Sequence, residues 1–361
     1  MRVVLTIHSA ELYGAGRSLL DHARVMRDAG FDMSVLLPAH GALVDALEND
    51  GISTVVSPSS ESRAFYRFAV QQFREMGRPL CHVHSKFPLT AALAARRAGS
   101  PVLWHVREER QRSYECRTKP VRRIGSHVLS EARRFAIGRL SQHIVYVSEA
   151  VRKQFDLPGI PGDVLFNFLP RMPNLPPRRS DDGVLTLLYA GRVCLEKGAE
   201  EFALVCRGLL DRGVPFRAVM AGALHPDYAD YPERLAAMGL DKHVSLAGYQ
   251  NSLDDMYRDM DVLLFPSHTE GFGRPVMEAM ARGVVPVASR VGGIPEMIEH
   301  GRNGFLFDPA CPAEAVEILG RLADERGLWI EMSGKARGDA TRMFSADPYV
   351  RKMSRIYRTF A

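Results

Sequence analysis

Short apolar runs alternate with amphipathic stretches along this chain, and the alternation starts again past its midpoint. In the first half the runs fall at residues 3–7, 33–37, 82–84 and 102–106, with amphipathic stretches at 18–29 and 89–98. In the second half they fall at 185–190, 216–221, 244–246, 262–266 and 284–288, separated by amphipathic stretches at 199–212, 231–238, 253–258 and 275–282. Strands that alternate with helices predict a parallel sheet wrapped by helices. Two such series in 361 residues predict an α/β chain of two domains, and 46% hydrophobic content is enough to give each a core.

Between the two series, Pro170, Pro173, Pro176 and Pro177 lie among Arg171, Arg178, Arg179, Asp181 and Asp182, a linker-like density of proline and charge. The predicted boundaries are a first domain over 1–170, a linker over 171–182, a second domain over 183–338 and a C-terminal segment over 339–361. Tyr349, Met353, Ile356, Tyr357 and Phe360 recur there at helical spacing, so an amphipathic helix over 345–360 is expected to pack on a protein surface. Five cysteines without a Cys-x-x-Cys pair suggest neither a zinc site nor a disulfide framework and fit a reducing, cytoplasmic compartment. The apolar stretch at 3–7 is too brief for a signal peptide, and no run approaches the ~20 apolar residues of a membrane span.

The net charge of +5 hides an asymmetry. Residues 1–180 hold 26 Lys+Arg against 16 Asp+Glu, and the remainder holds 21 against 26. The densest basic stretch, from Arg107 to Arg139, has ten Lys/Arg against four Glu. It suits an anionic lipid surface or a phosphorylated acceptor, and a solvated helix face is the plainer alternative. No aromatic stacking pattern or groove-reading motif accompanies the charge, so nucleic acid is not expected as a partner.

The stretch from Pro266 to Gly283 carries the most chemistry. It reads as a strand end, a glycine turn with free amides around Phe272 to Arg274, and a helix opened by Pro275, where the missing N–H of proline costs nothing. The amides of such a helix start are an anion site suited to a diphosphate. Glu270 would stand just before that seat. Glu278, about one turn inside the helix, would reach a ribose diol with its two acceptor oxygens. The bland alternative is a pair of glutamates placed only to favour the helix dipole.

The pattern Glu270-Gly-Phe-Gly-x-x-x-x-Glu278-Ala-Met-Ala-x-Gly resembles the Glu-x7-Glu signature of the GT-B-fold retaining glycosyltransferases of family 4 (glycosyl transferases group 1). Gly191-Arg192 with Glu196-Lys197-Gly198 is similar to the family's Gly-Arg…Glu-Lys-Gly element, and Gly292-Gly293-Ile294-Pro295-Glu296 to its Gly-Gly-x-Pro-Glu loop. Asn303-Gly304-Phe305 and Ala247-Gly248-Tyr249 match in the same order. The resemblance covers most of residues 185–310. It implies two Rossmann-like domains facing each other across a cleft, with a C-terminal helix crossing back to the first. It also implies a UDP- or GDP-sugar donor that is a substrate and not a cofactor. Residue by residue, it implies Arg192 and Lys197 on the diphosphate beside Gly271, Phe272, Gly273 and Arg274, Glu278 on the ribose, Glu270 on the donor sugar, and Gly248 and Tyr249 at the nucleobase.

The first half departs from the family. Tyr13-Gly14-Ala15-Gly16-Arg17 lies where Gly-Gly-x-Glu-Arg is usual, leaving Gly14, Ala15 and Gly16 as a loop near the diphosphate or acceptor. The family's active-site histidine stands two residues after His105, where this chain has Arg107. Strand periodicity puts both on one face, and His105 is favoured because a neutral imidazole hydrogen-bonds in either role. His82 and His84, also on one face, read as structural.

Asp259-Met260-Asp261 mimics an Asp-x-Asp metal motif, but it precedes an apolar strand with no second ligand cluster, so a helix-end or capping role is expected. The expected reaction is metal-independent transfer with retention by front-face attack, Arg192, Lys197 and a helix start stabilising the leaving group. The acceptor would be a glycan, a lipid-linked sugar or a small molecule. Competing readings are an epimerase or phosphorylase of the same architecture and a non-catalytic sugar-nucleotide-binding subunit.

Overall fold

A computed structural model of the chain describes residues 1–12, 14–85, 88–110, 120–173 and 183–361, with backbone only over 120–128. Its described residues divide into two compact units, one from within 1–110, 121–171 and 344–361, the other from residue 120 and from within 172–343. Of the linker expected over 171–182, residues 174–182 lie outside the described residues. So do Tyr13 and the basic positions Arg112, Arg117 and Lys119.

In the first unit the elements run β1 (Arg2–Thr6), α1 (Gly14–Asp28), β2 (Asp32–Leu37), α2 (Ala42–Asn49), β3 (Ser53–Val56), α3 (Ser62–Glu75), β4 (Leu80–His84), α4 (Leu89–Ala98), β5 (Val102–Val106), α5 (Pro120–Leu140), β6 (His143–Tyr146), α6 (Glu149–Phe155) and β7 (Gly162–Val164). The seven strands are parallel in the order β3-β2-β1-β4-β5-β6-β7. Strands β4 and β5 are buried along their whole length, as expected of central strands covered on both faces.

The second unit repeats the plan with β8 (Leu185–Ala190), α7 (Ala199–Asp211), β9 (Phe216–Ala221), α8 (Tyr231–Ala237), β10 (Val244–Gly248), α9 (Asp254–Arg258), β11 (Val262–Phe265), α10 (Arg274–Ala281), β12 (Val285–Ser289), β13 (Phe305–Phe307), α11 (Pro312–Asp324) and α12 (Arg326–Phe344). Its sheet order, β10-β9-β8-β11-β12-β13, is again the doubly wound one, with the fourth strand returning to the far side of the first. Each sheet therefore has one point where the strand order reverses. In the first unit it lies between β1 and β4, in the second between β8 and β11.

The last helix, α13 (Ala346–Arg358), belongs to the first unit. Tyr349, Met353, Ile356 and Tyr357 are buried in one core with Val3 and Leu5 of β1 and Leu19 and Met26 of α1. The helix expected over 345–360 corresponds to α13, and residues 339–344 of the expected C-terminal segment complete α12. The break falls at Ser345, whose extended backbone bridges Leu169 while the Leu169 N–H donates to the Phe344 carbonyl at 2.8 Å. Pairing with the segment at Leu169 there ends one helix and re-aims the next.

Asp259 closes α9, as expected of a helix-end residue. Asp261 is not a cap. It is buried, and its Oδ2 accepts from both the backbone N–H and the hydroxyl of Thr186, each at 2.9 Å, while its own N–H donates to Thr186 Oγ1 at 2.8 Å. The carboxylate thus ties the starts of β8 and β11 together. Removing one partner of a buried charged hydrogen-bond pair is costly. Asp261→Ala is expected to lower the stability of the second unit by about 3 kcal/mol, and Asp261→Asn by less because it keeps an acceptor oxygen. The urea midpoints of the two variants check this.

Candidate active site

Ligands of doubly wound sheets lie outside the carboxyl ends of the strands, where the order reverses. In the second unit the loops there follow β8 and β11, and they carry Arg192, Lys197 and Glu270. Lys197 ends a single 3-10 turn, Leu195–Lys197, and Gly198 follows in left-handed backbone with φ 74. A Cβ at Gly198 would stand 2.0 Å from the Pro266 carbonyl oxygen, so only glycine lets the two loops approach this closely. They are tied by the His268 N–H donating to the Glu196 carbonyl at 3.0 Å and by the Ser267 hydroxyl donating to the same oxygen at 3.3 Å.

That clamp brings Lys197 Nζ to 2.6 Å from Glu270 Oε1, and the Ser267 hydroxyl lies 3.2 Å from the same carboxylate oxygen. The Lys197 side chain is 27% exposed and that of Glu270 12%, so a charged pair stands at the floor of the two loops with one side open to solvent. Burial alone would favour the neutral amine, but the Glu270 carboxylate, by charge and hydrogen bond, and Glu196 beside it outweigh that and raise the lysine pKa. Lys197 is therefore a fixed cation at neutral pH. Arg192, five residues earlier, is exposed, and its carbonyl accepts from the Tyr189 hydroxyl at 2.8 Å.

The turn before α10 differs in detail from the sequence-based expectation. Phe272 is buried, so only its backbone can face a ligand. Gly273 takes φ 92. Arg274 is not a separate cation: its Nε donates to Glu278 Oε1 at 2.7 Å, and the Tyr257 hydroxyl lies 3.4 Å from Oε2. The residues expected to serve diphosphate and ribose separately thus form one pair. Gly248 ends β10 with φ 64, and its carbonyl accepts from the Gly222 N–H at 2.8 Å. A Cβ on Gly222 would in turn stand 1.8 Å from the Gly191 oxygen, so the glycines after β8, β9 and β10 lie in contact across the strand ends. Tyr249 beyond them is 46% exposed.

In the first unit, Gly14, Ala15 and Gly16 form the opening turn of α1 and not a loop before it. The helix begins early because the Gly16 Cα packs on the Glu11 carbonyl, where a Cβ would come within 2.1 Å. Across the order reversal, β4 ends at His84 and is followed by Ser85, a buried residue with φ 82, a backbone region that non-glycine residues rarely occupy and that is concentrated at functional sites. His105 is fully buried and Arg107 only partly so. The expectation that His105 itself meets a ligand is corrected to this extent: Arg107 has the accessible position, and His105 lies beneath it. The Arg107 guanidinium donates from Nε to His84 Nδ1 at 3.2 Å, from Nη1 to Asn167 Oδ1 at 2.5 Å and from Nη2 to His105 Nδ1 at 3.3 Å.

Around this arginine the structure assembles residues that the sequence pattern did not bring together. His22 of α1 contacts the Tyr349 hydroxyl through Nδ1 at 2.8 Å and the Tyr357 hydroxyl through Nε2 at 2.6 Å, and Tyr357 also contacts His82 Nδ1 at 2.7 Å. Helical spacing in the tail marked both tyrosines; their histidine partners had no local signal. His22, His82 and His84 are close enough to suggest a metal site, but both ring nitrogens of His22 are taken by hydroxyls and the Arg107 cation stands beside them.

Burial, with Arg107 adding, pushes His22, His82, His84 and His105 well below the ordinary histidine value of 6.5. The unfolded chain therefore binds protons near pH 6.5 that the folded chain refuses. Stability contributed by these rings is full above about pH 7 and is lost progressively as pH falls through 6.5 toward the depressed values, by about 1.4 kcal/mol per pH unit for each ring. The urea midpoint of the first unit is expected to be clearly lower at pH 5.5 than at pH 7.5. Equal midpoints would contradict buried neutral rings.

Residues 12–165 match the family Glycosyltransferase Family 4, and residues 174–338 match Glycosyl transferases group 1. The chain belongs to the family 4 glycosyltransferases. This family member is 30% identical over 175 residues to an uncharacterized glycosyltransferase of Methanocaldococcus jannaschii, covering 48% of this chain and 44% of that one. It is 33% identical over 185 residues to the D-inositol 3-phosphate glycosyltransferase of Acidothermus cellulolyticus, covering 48% and 40%. The chain thus spans less than half the length of these curated relatives. Among solved structures, HepE of Anabaena in complex with UDP-glucose superposes with a TM-score of 0.83 at 20% identity over 99% of this chain and 100% of that one. That likeness is one of fold, the two Rossmann-like domains of GT-B glycosyltransferases. Among the described residues of this family 4 glycosyltransferase, no helix is long and apolar enough to cross a membrane.

Proposed function

We propose that the chain transfers a sugar from a nucleoside-diphosphate donor to an acceptor hydroxyl, with retention at the anomeric carbon and without a metal ion. The observation that carries this reading is the Lys197–Glu270 pair, a fixed cation and a carboxylate on adjacent loops at the strand-order reversal. Lys197 and the exposed Arg192 suit the two phosphates, Glu270 the sugar hydroxyls, Glu278 the ribose diol, and Gly248 and Tyr249 the base. As the bond from C1 to the β-phosphate oxygen breaks, negative charge grows on that phosphate, and the cations stabilise it. The acceptor oxygen adds to C1 from the face that the phosphate leaves, and its proton passes to a β-phosphate oxygen. In the first unit, Arg107, with His105 and His84 behind it, serves the acceptor.

A UDP-sugar is the first choice of donor, since HepE of the same fold binds UDP-glucose; a GDP-sugar is the second. A glycan or lipid-linked acceptor of the cell envelope suits the basic first half, which would also favour peripheral contact with an anionic membrane. A thermal-shift screen of UDP and GDP, followed by release of nucleoside diphosphate from the matching sugars, tests the reading. Turnover is expected to persist in excess EDTA. Failure of every UDP- and GDP-sugar to release its nucleotide would favour a binding subunit instead, and rescue of EDTA-treated protein by Mg²⁺ or Mn²⁺ would overturn metal independence.

A further inference from the structure

A serine hydroxyl has one proton to give, and three oxygens stand within reach of the one on Ser267. They are the Thr269 carbonyl at 3.1 Å, the Glu270 carboxylate through Oε1 at 3.2 Å and the Glu196 carbonyl at 3.3 Å. Ser267 is fully buried, and its place is set by a second serine. Ser289, the last residue of β12 and equally buried, puts its hydroxyl 2.5 Å from the Ser267 carbonyl and 3.1 Å from that of Phe265, the last residue of β11. Farther along the same loop the His268 N–H donates to the Glu196 carbonyl at 3.0 Å, and the Gly293 N–H donates to the Glu270 carbonyl at 3.2 Å. The backbone from 265 to 270 is thus held by the end of β12, by the loop after β8 and by the loop after β12.

On Glu270 itself the contacts are unevenly placed. Lys197 Nζ, at 2.6 Å, and Ser267 Oγ both meet Oε1, and Oε2 takes neither. In the free chain Lys197 satisfies Oε1, and the Ser267 proton is left to the loop carbonyls. In the proposed reaction the diphosphate draws on that same lysine. The hydroxyl then has a charged acceptor beside it with room for another donor, and hydrogen bonds to a carboxylate are shorter and stronger than those to a carbonyl.

We propose that Ser267 is a positioning residue for the transfer reaction: with Ser289 fixing its backbone, its hydroxyl turns to Glu270 Oε1 as Lys197 engages the diphosphate, and so keeps Oε2 aimed at the hydroxyls of the donor sugar. The proposal rests on the reading that Lys197 meets the diphosphate and Glu270 the sugar. Replacing Ser267 by alanine leaves the loop its other ties, because the Glu196 carbonyl keeps the His268 N–H and Glu270 keeps Lys197. The loss is therefore felt when a sugar is bound and not before.

Calorimetry of the full chain with UDP and with UDP-glucose, together with UDP release from UDP-glucose, tests this. UDP carries no sugar for Glu270 to hold. Ser267→Ala is expected to bind UDP within about twofold of wild type, to weaken UDP-glucose relative to UDP, and to lower kcat by about tenfold or more, the weight of one hydrogen bond to a charged group. In the Glu270→Ala background the same substitution is expected to leave the ratio of the two affinities unchanged, since its effect passes through the carboxylate. A wild-type kcat in Ser267→Ala, an equal loss of affinity for UDP and UDP-glucose, or a further change of the ratio without Glu270 overturns the proposal. If Ser267→Ala does not fold, Ser289→Ala takes its place, and a wild-type kcat there overturns the proposal. Glu270→Ala alone separates the two levels. Full turnover in Glu270→Ala removes the sugar reading and this proposal with it, whereas an inactive Glu270→Ala beside a fully active Ser267→Ala removes only the part given to the serine.

Discussion

Lys197→Ala is expected to slow release of the nucleoside diphosphate from its sugar by about two to three orders of magnitude, the loss seen when one preorganised donor to a developing negative charge is removed. The lysine is suited to such an effect because it is held before any ligand arrives. The Gly198 turn fixes its backbone, and Glu270 fixes its ammonium at 2.6 Å. Little reorganisation is then needed as the leaving phosphate gains charge. Removing Lys197 also strips Glu270 of its counter-charge in a largely enclosed position, so Lys197→Ala with Glu270→Gln should bind UDP no worse than Lys197→Ala alone while remaining as slow. Lys197→Arg should recover part of the rate, since it restores charge with a different geometry. Steady-state release of UDP and titration calorimetry with UDP separate rate from binding. A Lys197→Ala protein that turns over within a few-fold of wild type would take the diphosphate cation away from this position.

Gly198→Ala carries the second large effect, on folding and site together. The residue holds φ 74, where a side chain costs about 1–2 kcal/mol. The added Cβ would also stand 2.0 Å from the Pro266 carbonyl oxygen, a backbone atom that cannot rotate away. Separating the two loops adds a further penalty of about 1–3 kcal/mol. A total near 4 kcal/mol would lower the melting temperature of a unit this size by about 10 °C. Because the same loops carry Lys197 and Glu270, the surviving folded protein should also be slow. Gly327→Ala, with open space around its Cβ, is the matched control and should leave both stability and rate close to wild type.

How much of this was legible in the sequence depends on whether a signal is local. The buried parallel strands 102–106, 185–190 and 262–265 stand out because enclosure on both faces demands continuous apolar runs. Strands β3, β7 and β13 did not, being only three or four residues long and, for β3 and β7, half-exposed at or near a sheet edge. Strand β6 opens on a histidine and follows a long helix. In the second unit the glycines and charges at 191–198 and 270–278 lie in compact loops, so their spacing alone marks a candidate site. Yet the pairing of Lys197 with Glu270 depends on which side chains two loops aim at one another, whereas that of Arg274 with Glu278 is an i,i+4 contact within α10. In the first unit the signal is dispersed. His22, His84, His105, Asn167 and Tyr349 converge from five separate parts of the chain, and a reading of single strands could pair His82 with His84 and His105 with Arg107 by periodicity but could not bring His22 or Asn167 to them.

The return of α13 to the first unit bears on the order in which the molecule can be made. His22 and Tyr349 are hydrogen-bonded across 327 positions and His22 and Tyr357 across 335. During synthesis the earlier of these two units must therefore wait for residues 346–358, while the later one, nearly continuous in sequence, can close before them. Domains ordinarily fold in the sequence of their emergence; here the first-made unit is the last to be completed. Until then its histidine rings and the apolar groove under α13 lie open, so a nascent or prematurely terminated chain would be most exposed to chaperones and proteases through its N-terminal half.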